Sequence, residues 1–219
     1  MLEKSLWHPV AQTSDLGTQP LAAHLLEEPV VLWRDDAGHA HAWADRCPHR
    51  GAKLSLGRVV QGRLECGYHG WQFDSAAQCV LVPALPSFQP SATHCAKRFE
   101  VCEAYGLLWV RQHHSASVLP AFAAELDANL RKVNCGPYTV QTSAPRIVEN
   151  FLDMSHFGFV HEGWLGARDH TAMQDYDVRR TASGILATNC FAWQPKSSLH
   201  AQSGSMVEYT YEVNAPYTC

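Results

Sequence analysis

Two short runs hold the residues best suited to binding metal: Cys47-Pro48-His49, and Cys66-Gly67-Tyr68-His69. Together they offer two thiolates and two imidazoles. That set suits either a Cys₂His₂ zinc site or a two-iron cluster in which one iron takes both cysteines and the other both histidines. Ligand types alone leave both open. Order and setting separate them, because zinc fingers usually keep their cysteines close together and set the histidines on a helix, whereas each run here supplies one of each. Two β-loops of this kind can grip a flat [2Fe–2S] unit from one side, with Gly51, Gly67 and Gly70 letting backbone come close to the sulfides. The remaining cysteines, Cys79, Cys95, Cys102, Cys135, Cys190 and Cys219, read as small reduced hydrophobes.

A third run, Asn150-Phe151-Leu152-Asp153-Met154-Ser155-His156-Phe157-Gly158-Phe159-Val160-His161, contains Asp-x-x-His-x-x-x-x-His. On a helix Asp153 and His156 are neighbours, but His161 would be turned by about 140° from His156. Both histidines face one metal only where the helix distorts or ends between them, and Gly158 is placed to allow that. Neutral imidazoles suit iron(II), and a facial site of two histidines and a carboxylate leaves positions for dioxygen and substrate. Taken alone, the run reads equally as a helix-end hydrogen-bond network or a zinc site.

The elements that must position these runs fall into two regions. Pro29–Arg34 and His39–Ala44 alternate as strands around the turn Asp35-Asp36-Ala37-Gly38, and further short strands are expected at 63–66, 71–73, 79–82, 99–102 and 107–110. This is a small all-β domain over residues 1–112. Residues 113–133 read as a linker, His113–Ser117, and a helix, Ala121–Lys132. From 134 onward the pattern is α+β, with a possible strand at Tyr138–Thr142 and a helix opened by Pro145. Strands follow at 176–181, 185–193 and 206–213. The balance of 17 Lys+Arg against 21 Asp+Glu, a net charge of −4, gives no electrostatic case for nucleic acid. With no apolar run of membrane-spanning length and no signal-peptide pattern, the expectation is a cytoplasmic protein without a membrane partner.

The runs Cys47-Pro48-His49-Arg50-Gly51-Ala52 and Cys66-Gly67-Tyr68-His69-Gly70-Trp71 resemble the cluster-binding loops of Rieske proteins, in particular the N-terminal domain of the Rieske non-haem iron oxygenases. Asn150-x-x-Asp153-x-x-His156-x-x-x-x-His161 is similar to the mononuclear-iron segment of the oxygenase α subunits. Its flank through His161-Glu162-Gly163-Trp164-Leu165-Gly166 looks like monooxygenating members, the saxitoxin-pathway hydroxylases among them. The first pattern departs from the family at Gly67, where proline is common, and at Ala77, where glycine often sits.

The resemblance implies an α+β architecture, with an all-β Rieske [2Fe–2S] domain followed by an incomplete helix-grip catalytic domain. It implies that Cys47 and Cys66 hold one iron of the cluster, that His49 and His69 hold the other, and that His156 and His161 bind mononuclear Fe(II). In the family, Asp153 bridges a cluster histidine of one subunit to an iron-bound histidine of the next, and Asn150 lies near the iron. The implied activity is O₂-dependent hydroxylation of an aromatic or cyclic organic substrate, by mono- or dioxygenation, or its demethylation. Electrons come from an NAD(P)H-dependent reductase, with or without a ferredoxin, and a homotrimer is expected. The family's third iron ligand, a carboxylate well downstream of the second histidine, has no counterpart in residues 1–219, so a truncated or fragmentary oxygenase is expected. The rival readings are a stand-alone Rieske electron carrier, which has no use for Asp153, His156 and His161, and a zinc-stabilised interaction module.

Overall fold

Along Glu28–Arg34, side chains alternate between two separate cores. Val31 and Trp33 enter one, while Val30 and Leu32 enter the other. This is the period of two that a strand imposes, and it places the segment in a sheet buried on both faces. The computed structural model describes residues 2–219, which divide into two compact units meeting in sequence between Leu126 and Asp127.

In the first unit, ten strands run β1 His8–Gln12, β2 Leu21–Leu25, β3 Glu28–Arg34, β4 Ala40–Ala44, β5 Arg58–Val60, β6 Arg63–Glu65, β7 Gln72–Phe73, β8 Cys79–Leu81, β9 Arg98–Ala104 and β10 Leu107–Arg111. A six-stranded antiparallel sheet has the order β1-β10-β9-β4-β3-β2. Inserted between β4 and β9 is a four-stranded antiparallel sheet, β5-β6-β7-β8. One core holds Trp33, Trp43, Leu54, Leu64 and Phe73 together with Cys47 and Cys66, so both cysteines are rooted in packed apolar side chains. At the β3–β4 turn the Asp35 carboxylate accepts the N–H groups of Ala37 and His39, both at 3.0 Å, and Gly38 takes a φ of +82°.

The second unit contains α1 Ala144–Leu152, α2 Phe157–Val160, and strands β11 Asp177–Arg180, β12 Gly184–Gln194 and β13 Ser205–Asn214, in the antiparallel order β11-β12-β13. A bulge at Thr188-Asn189 shifts the register between Ala187 and Cys190, with Asn189 at a φ of +58° and tied to Asp177 by a 2.7 Å hydrogen bond. The extra residue turns Ala187 and Cys190 into the same small core as Met154 and Tyr211, despite their odd spacing.

Two expected elements are replaced. The helix over Ala121–Lys132 is a single 3₁₀ turn, Ala123–Leu126. Immediately after it the Asp127 carboxylate accepts the N–H of Asn129 at 2.8 Å, a local turn that competes with helical bonding, and Leu126 and Leu130 stay exposed rather than finding a surface to pack on. The Tyr138–Thr142 segment forms no strand; its Tyr138 and Val140 are exposed, so no neighbour rewards an extended pairing. The His113–Ser117 stretch is no free linker either, since Ser115 and Ser117 both donate to the Ser5 carbonyl. No described helix is long and apolar enough to cross a membrane.

Candidate metal centres

The two cysteine–histidine loops are built to one pattern. The Cys47 N–H donates to the Ala52 carbonyl at 2.8 Å and the Gly51 N–H returns to the Cys47 carbonyl at 2.9 Å. The Cys66 N–H likewise donates to Trp71 at 2.8 Å, and Gly70 returns to Cys66 at 3.0 Å. Each loop closes through a glycine in the left-handed region, with φ of +74° at Gly51 and +69° at Gly70, where a side chain would be strained.

The paired turns bring like ligands together. Cys47 and Cys66, each 2% exposed, belong to one core and lie close enough for the Cys66 thiol to raise that of Cys47. The His49 and His69 rings lie 4.7 Å apart between centroids. Trp71 stacks on His49 at 4.5 Å and 3°, fixing the plane of that ring, and Tyr68 covers His69 at 3.8 Å. Behind the first loop, buried Asp45 anchors the turn at Leu54–Leu56 by accepting the Ser55 N–H at 2.7 Å and its hydroxyl at 2.6 Å.

Burial pushes the Cys47 thiol up to about 12, against the backbone N–H of His49, with Cys66 adding to the rise. Burial also lowers His49, helped by the neighbouring His69 and Arg50, which favours the neutral imidazole. Metal binding here would have to displace the proton of the Cys47 thiol. Among the described residues no three His, Cys, Asp or Glu side chains converge as a single-ion site. Two thiols meeting in one place and two imidazoles in another fit a two-iron, two-sulfide cluster better than one tetrahedral zinc.

The departures from the resembled pattern have local causes. At Gly67 a Cβ would stand 2.7 Å from the Leu56 carbonyl oxygen, so the chain passes too closely for a side chain. Ala77 holds a φ of +65° in the turn capped by Asp74, a conformation glycine adopts more freely, and its methyl is fully buried in the cysteine-bearing core.

In the second unit, His156 and His161 are also brought together, with ring centroids 5.2 Å apart. The expected break lies elsewhere than at Gly158. α1 ends with Asp153 as its C-cap; His156 is the N-cap and His161 the C-cap of α2, so the two imidazoles stand at opposite ends of one short turn. Gly158 sits inside that turn and serves a close approach: a Cβ there would meet the Ala167 carbonyl at 2.9 Å, and a Cβ on Gly166 would meet the Gly158 nitrogen at 2.6 Å. The Phe157 ring touches both imidazoles, at 5.2 and 6.2 Å.

One Asp153 oxygen accepts the Ser155 N–H at 2.8 Å and its hydroxyl at 2.5 Å, while the other lies 3.2 Å from His156 Nδ1. The Ser155 hydroxyl, its N–H and His156 together hold this carboxyl below the usual range. Bonding at Nδ1 leaves the His156 Nε2 face for a metal. Asn150 lies exposed on α1. Sequence reasoning did not single out Asp45 or the Gly158–Gly166 contact; the second had a visible signal in Gly166, five residues beyond His161.

A β-domain with paired Cys-x-His and Cys-x-x-His loops, followed by a unit bearing an Asp–His–His turn, defines a two-part iron protein. The Rieske [2Fe-2S] domain family matches residues 6–103, and the vanillate O-demethylase oxygenase C-terminal domain matches residues 140–219. Methylxanthine N1-demethylase NdmA of Pseudomonas putida is 42% identical over 170 residues, 74% of this chain and 48% of that protein. A toluene-4-sulfonate monooxygenase system iron-sulfur subunit of Comamonas testosteroni, TsaM2, named as putative, is 34% identical over 206 residues, 91% of this chain and 59% of that protein. A structure of the Pseudomonas putida CBB5 NdmA QL mutant with caffeine aligns at a TM-score of 0.79 and 32% identity, covering 94% of this chain and 68% of that one. The chain belongs to the Rieske non-haem iron oxygenases. It spans about half the length of the curated relatives it matches.

Proposed function

We propose that this chain carries the electron-relay site and two histidine ligands of the catalytic iron of a terminal oxygenase. The reaction is O₂-dependent hydroxylation or oxidative demethylation of a small aromatic or cyclic organic substrate. The observation that carries the reading is the pairing of like ligands at the cluster loops in a chain that also brings His156 and His161 to one turn. Cys47 and Cys66 would hold one iron of the cluster, His49 and His69 the other, and His156 and His161 the mononuclear iron. When bound, the cluster delivers single electrons, and the mononuclear iron supplies the dioxygen chemistry.

The chain's own residues do the rest. Trp71 and Tyr68 hold the planes of the cluster imidazoles, and the buried cysteines keep water from the sulfur side. Asp153 orients His156 through Nδ1 and, in our reading, reaches a cluster histidine of a neighbouring subunit in a homotrimer. Asn150 is assigned a place beside the iron. The carboxylate that would complete the facial triad is assigned to a residue outside 1–219, since Asp153 is engaged by Ser155 and His156. A separate NAD(P)H-dependent reductase, with or without a ferredoxin, is the electron source, as suits a relative named as one subunit of a monooxygenase system. Eight free thiols suit a cytoplasmic setting.

The test is to reconstitute the 219-residue chain with iron and sulfide. The reading expects a brown protein with acid-labile sulfide and a rhombic EPR signal on reduction. A colourless protein holding stoichiometric zinc at the same four residues would overturn it.

A further inference from the structure

From the histidine pair a file of aromatic rings runs into the sheet of the second unit. Between centroids, the Phe157 ring lies 5.2 Å from His156, 6.2 Å from His161 and 5.9 Å from Tyr209 on β13. Two positions on, and therefore on the same face of the strand, Tyr211 stacks on Tyr209 at 5.7 Å and 12°. Met154, an oxidisable thioether two positions from His156, is buried in the same core as Tyr211, with Phe157 and Tyr209 packed against it.

The two phenols differ in what can become of their protons. Tyr209 is half-buried, at the border with solvent, and its oxygen accepts the Gln194 amide, a bond that survives loss of the phenol proton. Tyr211 is 6% exposed, and its hydroxyl finds no partner among the described residues. Burial pushes that phenol up to about 12, with Tyr209, Cys190 and Asp153 adding to the rise. A phenol that loses an electron becomes a strong acid and must release its proton to persist as the neutral radical. Tyr209 can do so and Tyr211 cannot. A phenyl ring is far harder to oxidise than a phenol, so Phe157 is a bridge for the electron and not a stop.

We propose that Tyr209 is an internal reductant that protects the histidine pair: when dioxygen or peroxide is activated there with no substrate to oxidise, Tyr209 gives up an electron through Phe157. The inference rests on the iron reading of His156 and His161 and adds to it a protective reaction of this chain's own residues. The oxidising equivalent at the pair is reduced by one electron, the Tyr209 phenol becomes the neutral tyrosyl radical, and its proton passes to water. A soluble thiol then returns a hydrogen atom to the radical, and two thiyl radicals so formed combine as a disulfide. Without Tyr209 the same equivalent falls on Met154 and on the imidazoles.

The experiment loads the 219-residue chain with ferrous iron, mixes it with hydrogen peroxide without substrate, and freezes it rapidly for EPR. A parallel sample is trapped with a nitroso compound, digested and mapped by mass spectrometry. A tyrosyl signal is expected, with the trap on the peptide that carries Tyr209 and the signal removed by a soluble thiol. Tyr209→Phe, which keeps the ring, should lose most of the signal and raise sulfoxide at Met154 and oxidation of His156 and His161 by about three-fold or more. Tyr211→Phe should leave both readouts at the wild-type level. A chain with metal on its histidines that forms no radical at Tyr209, or whose damage Tyr209→Phe does not raise, overturns the proposal, as does a radical on Tyr211. Where ferrous iron is held too loosely to load, copper(II), which imidazoles bind more tightly, takes its place with the same readouts. Metal uptake that is the same in the His156→Ala/His161→Ala variant overturns the iron reading instead, so the two failures are distinct.

Discussion

The two metal centres are held by opposite means. At the proposed cluster site, Cys47 and Cys66 are 2% exposed and belong to a core of tryptophan, phenylalanine and leucine, and each loop is closed by two backbone hydrogen bonds. At the histidine pair, the support is a four-residue turn, a carboxylate that is 44% exposed, and one backbone-to-backbone contact through glycine. A site seated in a core tolerates change at its surface but not at its root. A site seated on a short turn depends on the few backbone atoms that stop the turn from opening.

The largest expected effect is at the root of the cluster. Cys47→Ser or Cys66→Ser should abolish the [2Fe–2S] absorbance and acid-labile sulfide, while far-UV circular dichroism still reports the strands of both units. Retention of a full cluster would break the comparison at its strongest point. Next comes Gly166→Ala, whose methyl is forced against the Gly158 nitrogen; overpacking of this kind costs ~1–3 kcal/mol. It should lower the unfolding midpoint of residues 127–219 and leave the cluster spectrum unchanged. A parallel loss of cluster would show that the two centres are not independently supported.

A smaller effect concerns pH. Hydrogen bonds from Arg34 hold Glu103 below the usual carboxylate range, and the Gln72 amide followed by Arg58 does the same for Glu65. Because these folded values are depressed, their contribution is full above the ordinary glutamate range of roughly pH 4–5 and is lost as pH falls through the folded values. Denaturant titrations of the first unit at stepwise lower pH should show this loss, and Glu103→Gln should flatten part of it. An unchanged acid profile in that variant would remove Glu103 from the account. The smallest effect is Ala77→Gly, where relief of a left-handed backbone opposes loss of a buried methyl and of chain stiffness. Terms of ~1 kcal/mol each should nearly cancel, leaving the melting point almost unmoved. A shift of several degrees would mean that one term dominates.

What could be read in advance followed the chemistry of single turns. The β5–β6 and β9–β10 connections, Gln61-Gly62 and Tyr105-Gly106, carry a glycine at positive φ and announce themselves. The β2–β3 connection, Leu26-Glu27, takes positive φ at both residues without any glycine, and β2 is hidden as a result. Both candidate metal runs stand out because cysteine, histidine and aspartate recur in them at short spacing. The helix break falls at Asp153–His156 and not at Gly158, which looks like a breaker in sequence and is a point of close approach in space. The support from Asp45 comes from ten positions away and carries no local mark.

The Gly158–Gly166 contact also bears on how readily this protein can be redesigned. The tip between His161 and Gly166 is closed by its own main chain, with the N–H groups of Trp164 and Leu165 donating to the His161 carbonyl and that of Gly163 to the Gly166 carbonyl. Gly163 must keep its φ of +83°, but the exposed side chains of Glu162 and Trp164 lie at the surface, Glu162 paired with Arg168 and Trp164 under Lys196. Randomising those two positions should give a library of folded variants with the histidines in place, in which only the surface beside the turn has been rewritten.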